Sequence, residues 1–115
     1  MKGFLLLISI FYFLFIGQSQ VTEEYNLPKE LNEASGLERL NDSVFISIND
    51  GGNKPHIYLI SKTGKLLKTI LVLDAKNKDW EDLTRDDNHL FIGEFGNNKN
   101  KRKSLTILKI KITDI

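Results

Sequence analysis

The sequence contains no cysteine, one tryptophan, one methionine, two histidines and two prolines. Without cysteine there is no disulfide, no thiolate zinc site and no dithiol redox chemistry, so the fold must be held by its apolar core or by a bound metal. The only imidazoles, His56 and His89, fall on different loops at opposite ends of the expected strands. That separation speaks against a histidine-based triad or zinc site. Charge of one sign is also missing: the net charge is +1. No overall field therefore draws the chain to nucleic acid or to an anionic membrane. Ser35, in Ala34-Ser35-Gly36-Leu37, lacks the Gly-x-Ser-x-Gly frame of a nucleophile elbow and reads as a strand-entry residue.

The one long hydrophobic run is N-terminal. Lys2 is followed by an apolar stretch from Phe4 to Ile16, interrupted only by Ser9, and then by Gly17-Gln18-Ser19 with small residues at the −3 and −1 positions. This pattern predicts a secretory signal peptide over residues 1–19. The run is short of the roughly 20 residues a membrane-spanning helix needs. Export to the periplasm, cell surface or medium is expected, with no stable membrane span after cleavage. Loss of Lys2 leaves 15 basic residues against 15 acidic.

What the chain has is an internal repeat. Leu37 lies over Leu83, 46 positions on, and Val44-Phe45-Ile46 over Leu90-Phe91-Ile92, with a polar turn between them each time. A period of about 40–50 residues with several short strands per unit is the pattern of β-propeller blades. The first unit, about residues 33–74, reads as four strands: Gly36–Leu40, Val44–Asn49, His56–Ser61 and Leu66–Leu73. The second, about residues 79–115, reads as three: Glu81–Thr84, Leu90–Phe95 and Leu105–Ile112. Residues 20–32 form a polar lead-in. The expected class is all-β, built from four-stranded antiparallel meanders of an incomplete propeller of about two blades. Two units cannot close a ring, so the sequence reads as the N-terminal piece of a longer protein; a small domain completed by oligomerising is the alternative.

In such a meander alternate loops emerge at the same end. The polar, Gly-rich loops all belong to one set: Glu33–Gly36, Asn49–Asn53, Asp79–Asp82 and Glu94–Asn98. Loops on a rigid scaffold are common carriers of function. Asp50, Glu81, Asp82 and Glu94 are candidate ligands for a hard cation such as Ca²⁺, with Asn49 and Asn97 as further oxygen donors. Asn49, Asn53, Trp80, Asn97 and Asn98 are candidates for a ligand face. The plainer reading is that the Asp and Asn residues hold turns by side-chain to backbone hydrogen bonds, and that Trp80 packs between units. The basic run Lys99, Lys101, Arg102 and Lys103 reads as a solvated loop, since a nucleic-acid patch needs interleaved aromatics.

The segments Glu33-Ala34-Ser35-Gly36-Leu37, Asn49–Asn53, Asp79-Trp80-Glu81-Asp82-Leu83 and Phe91–Asn98 resemble exported β-propeller proteins of Bacteroidota. More distantly they are similar to the propellers of SdiA-regulated proteins and esterase-like phytases. The resemblance covers about residues 27–112. It implies a propeller fold and, if the relatives' calcium or phosphate sites carry over, Asp50, Glu81, Asp82 and Glu94 as the matching positions. The expected function is a binding or scaffold module for a protein or small-molecule ligand. The alternative is a calcium-dependent hydrolase of phosphoester or lactone bonds, in which Glu81, Asp82 and Glu94 hold a cation that polarises the substrate.

Overall fold

The structure, a computed structural model, describes residues 17–115; residues 1–16, most of the expected signal segment, lie outside them. The chain is all-β. Seven strands follow in order: β1 (Ala34–Arg39), β2 (Val44–Asn49), β3 (His56–Ser61), β4 (Leu66–Leu71), β5 (Trp80–Arg85), β6 (His89–Glu94) and β7 (Thr106–Lys111). Short 3-10 turns at Lys29–Leu31 and Ile112–Asp114 precede and follow them. Among the described residues no helix is long and apolar enough to cross a membrane.

β1 to β4 form one antiparallel meander and β5 to β7 a second. The turns are made by the residues their chemistry favours. The Asn41 Oδ1 accepts the backbone N–H groups of Ser43 and Val44, and the Asp86 Oδ1 those of Asn88 and His89. At the β3–β4 turn Gly64 adopts φ +79°, which a side chain would resist. Leu105 and Leu73, expected to be strand residues, fall outside β7 and β4, whereas Ala34, Trp80 and Arg85 join the strands they flank.

The two sheets stack face to face. Ile46, Ile48, Ile57 and Leu59 of the first sheet meet Trp80, Leu83, Leu90 and Ile92 of the second in one core. Removing each such side chain from water contributes about 2 kcal/mol. β5 lies alongside β1. The Ser35 hydroxyl donates to the Trp80 carbonyl at 3.2 Å, and Arg85 Nε donates to the Arg39 carbonyl at 2.7 Å. Gly36, at φ +96°, lets this approach happen, because a Cβ there would stand 3.1 Å from Leu83 Cδ2.

A smaller cluster lies on the other side of the first sheet. Leu31 packs on Tyr58 and Ile60, with Phe45 and Leu66 at its margin. It anchors the lead-in, whose Asn26 carbonyl passes so close to Gly64 that an added Cβ would lie 2.7 Å away.

The repeat is real at the level of backbone detail, but its spacing is not uniform. Both first strands carry a bulge at matching positions, between Ala34 and Leu37 and between Trp80 and Asp82. The second strands are one residue out of step with the strict 46-residue match. Leu37 pairs with Ser47, whereas Leu83 pairs with Ile92. The cause is the first hairpin of each unit. Leu40 donates to Val44 across three residues, Asp86 to His89 across two. Because side chains alternate in direction, one residue of turn length exchanges the faces of the following strand. Ile46 thus corresponds structurally to Phe91, not to Ile92.

Candidate functional site

The four polar loops meet at one end of the stacked sheets, tied by backbone hydrogen bonds. Asp50 N–H donates to the Glu33 carbonyl at 2.9 Å, Gly52 N–H to Asn77 at 3.1 Å, and Gly96 N–H to Asp79 at 3.0 Å. Asn77, in the linker between the sheets, is a buried hub. Its Nδ2 donates to the carbonyls of Asn49 and Asp50, each at 2.9 Å, and its Oδ1 accepts the Trp80 N–H at 3.0 Å.

This framework brings three carboxylates together. Asp50 comes from the loop after β2, Asp79 from the residue before β5 and Glu81 from β5 itself. One carboxylate oxygen from each lies within 4.8 Å of the others. Asp79, in the bend before β5, and Glu81, within the β5 bulge, stand on either side of the inward-turned Trp80. Two glycines make the room. A Cβ on Gly51 would stand 2.6 Å from Asp79 Oδ1 and 2.7 Å from the Lys78 carbonyl, and one on Gly96 would overlap the Asp79 carboxylate and Glu81 Oε1. Desolvation, then the charges of Asp79 and Asp50, then a hydrogen bond with Asp79 hold the Glu81 carboxyl above the usual carboxylate range. The salt bridges found among the described residues, Arg39–Asp42, His89–Asp86 and Arg102–Glu94, involve none of the three.

The candidate metal set therefore divides. Asp50 and Glu81 are brought together, and Asp79 joins them. Asp82 is not among them, and its Oδ1 accepts the Leu83 N–H at 2.8 Å. Glu94 is placed apart from the three. It is buried, and its carboxylate is saturated from within the chain. Arg102 Nη2 lies 2.6 Å from Oε1, and the backbone N–H groups of Lys78 and Asp79 donate to it at 3.0 Å and 3.2 Å. It builds the loop that carries Asp79 and offers no free oxygen to a cation.

The expected ligand face divides too. Trp80 is fully buried in the core between the sheets, because the β5 bulge turns it inward; it lines no exposed surface. Asn49 is also buried and donates to the Glu30 carbonyl at 2.7 Å, anchoring the lead-in. Asn97 is spent on turn capping, its Oδ1 accepting the Lys101 and Arg102 N–H groups at 3.0 Å each. Asn53 bridges Glu33 and the Asp50 carbonyl. Asn98 is exposed. In the basic run Lys99, Lys101 and Lys103 are exposed, whereas Arg102 folds back on Glu94 and the Gly96 carbonyl.

Asp79, Asn77 and Arg102 carry the site; the sequence placed Asp79 on a polar loop and Arg102 in a solvated basic run, and gave neither of them, nor Asn77, a role in it. The two-residue spacing of Asp79 and Glu81 was a usable signal for the first. Asn77 and Arg102 sit in unpatterned polar loops and have none. Comparison with protein families, with curated proteins and with solved structures finds no match.

Proposed function

We propose that the chain is an exported binding module of the β-propeller kind, and that its loop end holds a hard divalent cation between Asp50, Asp79 and Glu81. The observation that carries this reading is the convergence of three carboxylates, from the β2–β3 loop and the start of β5, with no basic side chain among the described residues paired to them. Like charges at this separation repel, and a cation relieves that repulsion. An all-oxygen, all-anionic donor set suits Ca²⁺, whose remaining positions take water, carbonyls or a ligand's oxygens. The glycines at 51 and 96 fit the same purpose, since any larger residue would fill the space the carboxylates occupy.

A cation held there would join the β2–β3 loop to the start of β5, and so one sheet to the next. It would stiffen the loop end and leave outward positions for a ligand carrying carboxylate, hydroxyl or phosphate oxygens. The hydrolytic alternative drew on Glu81, Asp82 and Glu94, and the local geometry favours the binding reading because Glu94 already pairs with Arg102 and the Lys78 N–H. The propeller assignment is supported by two stacked meanders with matching bulges, and export by the N-terminal sequence pattern.

Calorimetric titration with Ca²⁺ tests the reading. A single saturable event, abolished by chelator and by Asp79→Asn, is expected. Equal heats for the native chain and Asp79→Asn would remove the cation from the proposal.

A further inference from the structure

Asp50 is the only aspartate in the chain that is followed by glycine, and no asparagine is. A carboxyl one residue ahead of a backbone nitrogen closes a five-membered ring when the nitrogen attacks it, and glycine leaves that nitrogen unshielded. In a flexible chain the two groups seldom meet in line, so the closure is slow. Here the fold holds them together. Asp50 Oδ1 accepts the Gly51 N–H at 2.7 Å, so the nitrogen stands within about 4 Å of Cγ, one C–O bond further on. The Asp50 side chain is exposed, and water reaches it.

Two features of the surroundings act on this pair. The peptide carbonyl that joins the residues, that of Asp50, accepts two side-chain amides, Asn53 Nδ2 and Asn77 Nδ2, each at 2.9 Å. As the Gly51 N–H gives up its proton, negative charge spreads onto that carbonyl oxygen. Donors already aimed at it stabilise the charge and so make the nitrogen a readier nucleophile. The oxygen that departs from Cγ also needs a proton. The Asp79 and Glu81 carboxyls stand beside Asp50, one oxygen of each within 4.8 Å of the others. Burial and the charges of Asp79 and Asp50 hold Glu81 above the usual carboxylate range, so it keeps its proton to a higher pH than an ordinary carboxyl.

We infer that Asp50–Gly51 is a self-modification site, at which the folded chain converts its own aspartate to isoaspartate through a cyclic imide. The Gly51 nitrogen loses its proton and bonds to Asp50 Cγ. The Cγ–O bond breaks, and the oxygen leaves as water with that proton and a second one from Glu81 or solvent. One water then opens the ring at the former backbone carbonyl carbon. The main chain now runs through Cβ and Cγ, and a new carboxylate sits on Cα. Water is released and taken up once, so the composition is unchanged and no oxidant or reductant enters. The inserted backbone atom falls beside Gly51, where even an added Cβ would stand 2.6 Å from Asp79 Oδ1 and 2.7 Å from the Lys78 carbonyl. The modified loop therefore moves off the linker and carries its carboxylate away from Asp79 and Glu81. The step needs no bound cation and stands apart from the cation reading above.

The test incubates the full chain in chelator, in mildly acidic heavy-oxygen water, folded and in parallel unfolded in urea. Tryptic peptides are then read by mass spectrometry with electron-transfer fragmentation, which separates isoaspartate from aspartate at each position. Heavy oxygen and isoaspartate should accumulate at residue 50, faster in the folded chain than in the unfolded one. Asp50→Glu keeps the charge but is one methylene too long for the five-membered ring, and residue 50 should then stay unlabelled. Asn53→Ala, in an exposed loop, removes one donor from the Asp50 carbonyl; with unchanged far-ultraviolet circular dichroism, its folded rate should fall about fivefold, the weight of one hydrogen bond. A folded chain that reacts at residue 50 more slowly than the unfolded chain overturns the inference, because the reactivity then belongs to the dipeptide and the fold suppresses it. An Asn53→Ala rate equal to the native rate overturns the part assigned to the carbonyl donors.

Discussion

Arg102 reaches back eight residues to place Nη2 at 2.6 Å from Glu94 Oε1, and in doing so closes the β6–β7 loop over a carboxylate that is nearly inaccessible to water. The pair is structural. Glu94 receives backbone amides from the β4–β5 linker, and Arg102 donates to the Gly96 carbonyl. It holds Asp79 and Gly96 in the positions the candidate cation site needs. Removing one member of a buried pair strands the other, and Arg102 keeps some contact with solvent, so Glu94→Ala should lower stability by about 3 kcal/mol. Urea unfolding followed by Trp80 fluorescence reads this directly, since Trp80 is the only tryptophan and is fully buried.

Asn77→Ala should be as damaging without any charge being lost. It removes two donors from the Asn49 and Asp50 carbonyls and the acceptor of the Trp80 N–H, all at or near the seam between the sheets. Buried groups left unpaired cost about 1–3 kcal/mol each, and partial access of water to Asp50 sets the expected total at about 3 kcal/mol. A loss below about 1 kcal/mol in the same unfolding assay would show that the linker does not join the sheets through this side chain.

Gly51→Ala should destabilise the chain by about 1–3 kcal/mol, because the new methyl meets backbone at 2.7–2.8 Å, at the Lys78 carbonyl and Asp79 Cα, where neither can rotate away. The displacement falls on Asp79, so calcium affinity should fall in the same variant. Gly52→Ala is the control. That residue has open space around its Cβ position and carries only the strain of φ +84°, so its calcium response should match the native chain.

The acidic cluster makes a prediction about pH. The folded chain raises the Glu81 pKa, so without a cation the folded state binds this proton more tightly than the unfolded state. Its contribution to stability is then fully present below the ordinary carboxylate pKa and is lost as pH rises through the raised value. Asp86 works in the opposite sense. Backbone amides of Asn88 and His89 lower its pKa, and the stability it provides is lost as pH falls through that lowered value. The difference in Tm between the native chain and Glu81→Gln, both in chelator, isolates the first effect. The native chain should gain on the variant as pH falls from neutrality through the carboxylate range. Saturating Ca²⁺ should remove or reverse that trend, and a difference independent of pH would rule the cluster out as its source.

Much of the fold is legible in the sequence for a local reason. Strand, turn and period depend on neighbouring residues: Val44–Asn49 alternates, His56–Ser61 is a short run of strand-forming residues, both are bounded by Asn, Asp, Gly and Pro, and their limits are read directly from that pattern. The convergence of the polar loops at one end follows from the meander itself. Asp50 and Glu81 are recognisable as ligand candidates because they are acidic and fall in the polar segments that the meander gathers at one end.

Tertiary structure decided the rest. Glu94 and Glu81 look equivalent in the chain, and only the return of Arg102 and the linker amides makes one a buried strut and leaves the other open to a cation. Trp80 packs between the units as the plainer sequence reading had it, and the β5 bulge is what sends it into the core. Leu37 and Leu83 match in sequence, yet one is covered by a sheet and the other meets water. Local propensity sets where the strands lie; which faces and carboxylates meet depends on a single residue of turn length and on contacts between groups about 8 to 50 positions apart, which no local pattern encodes.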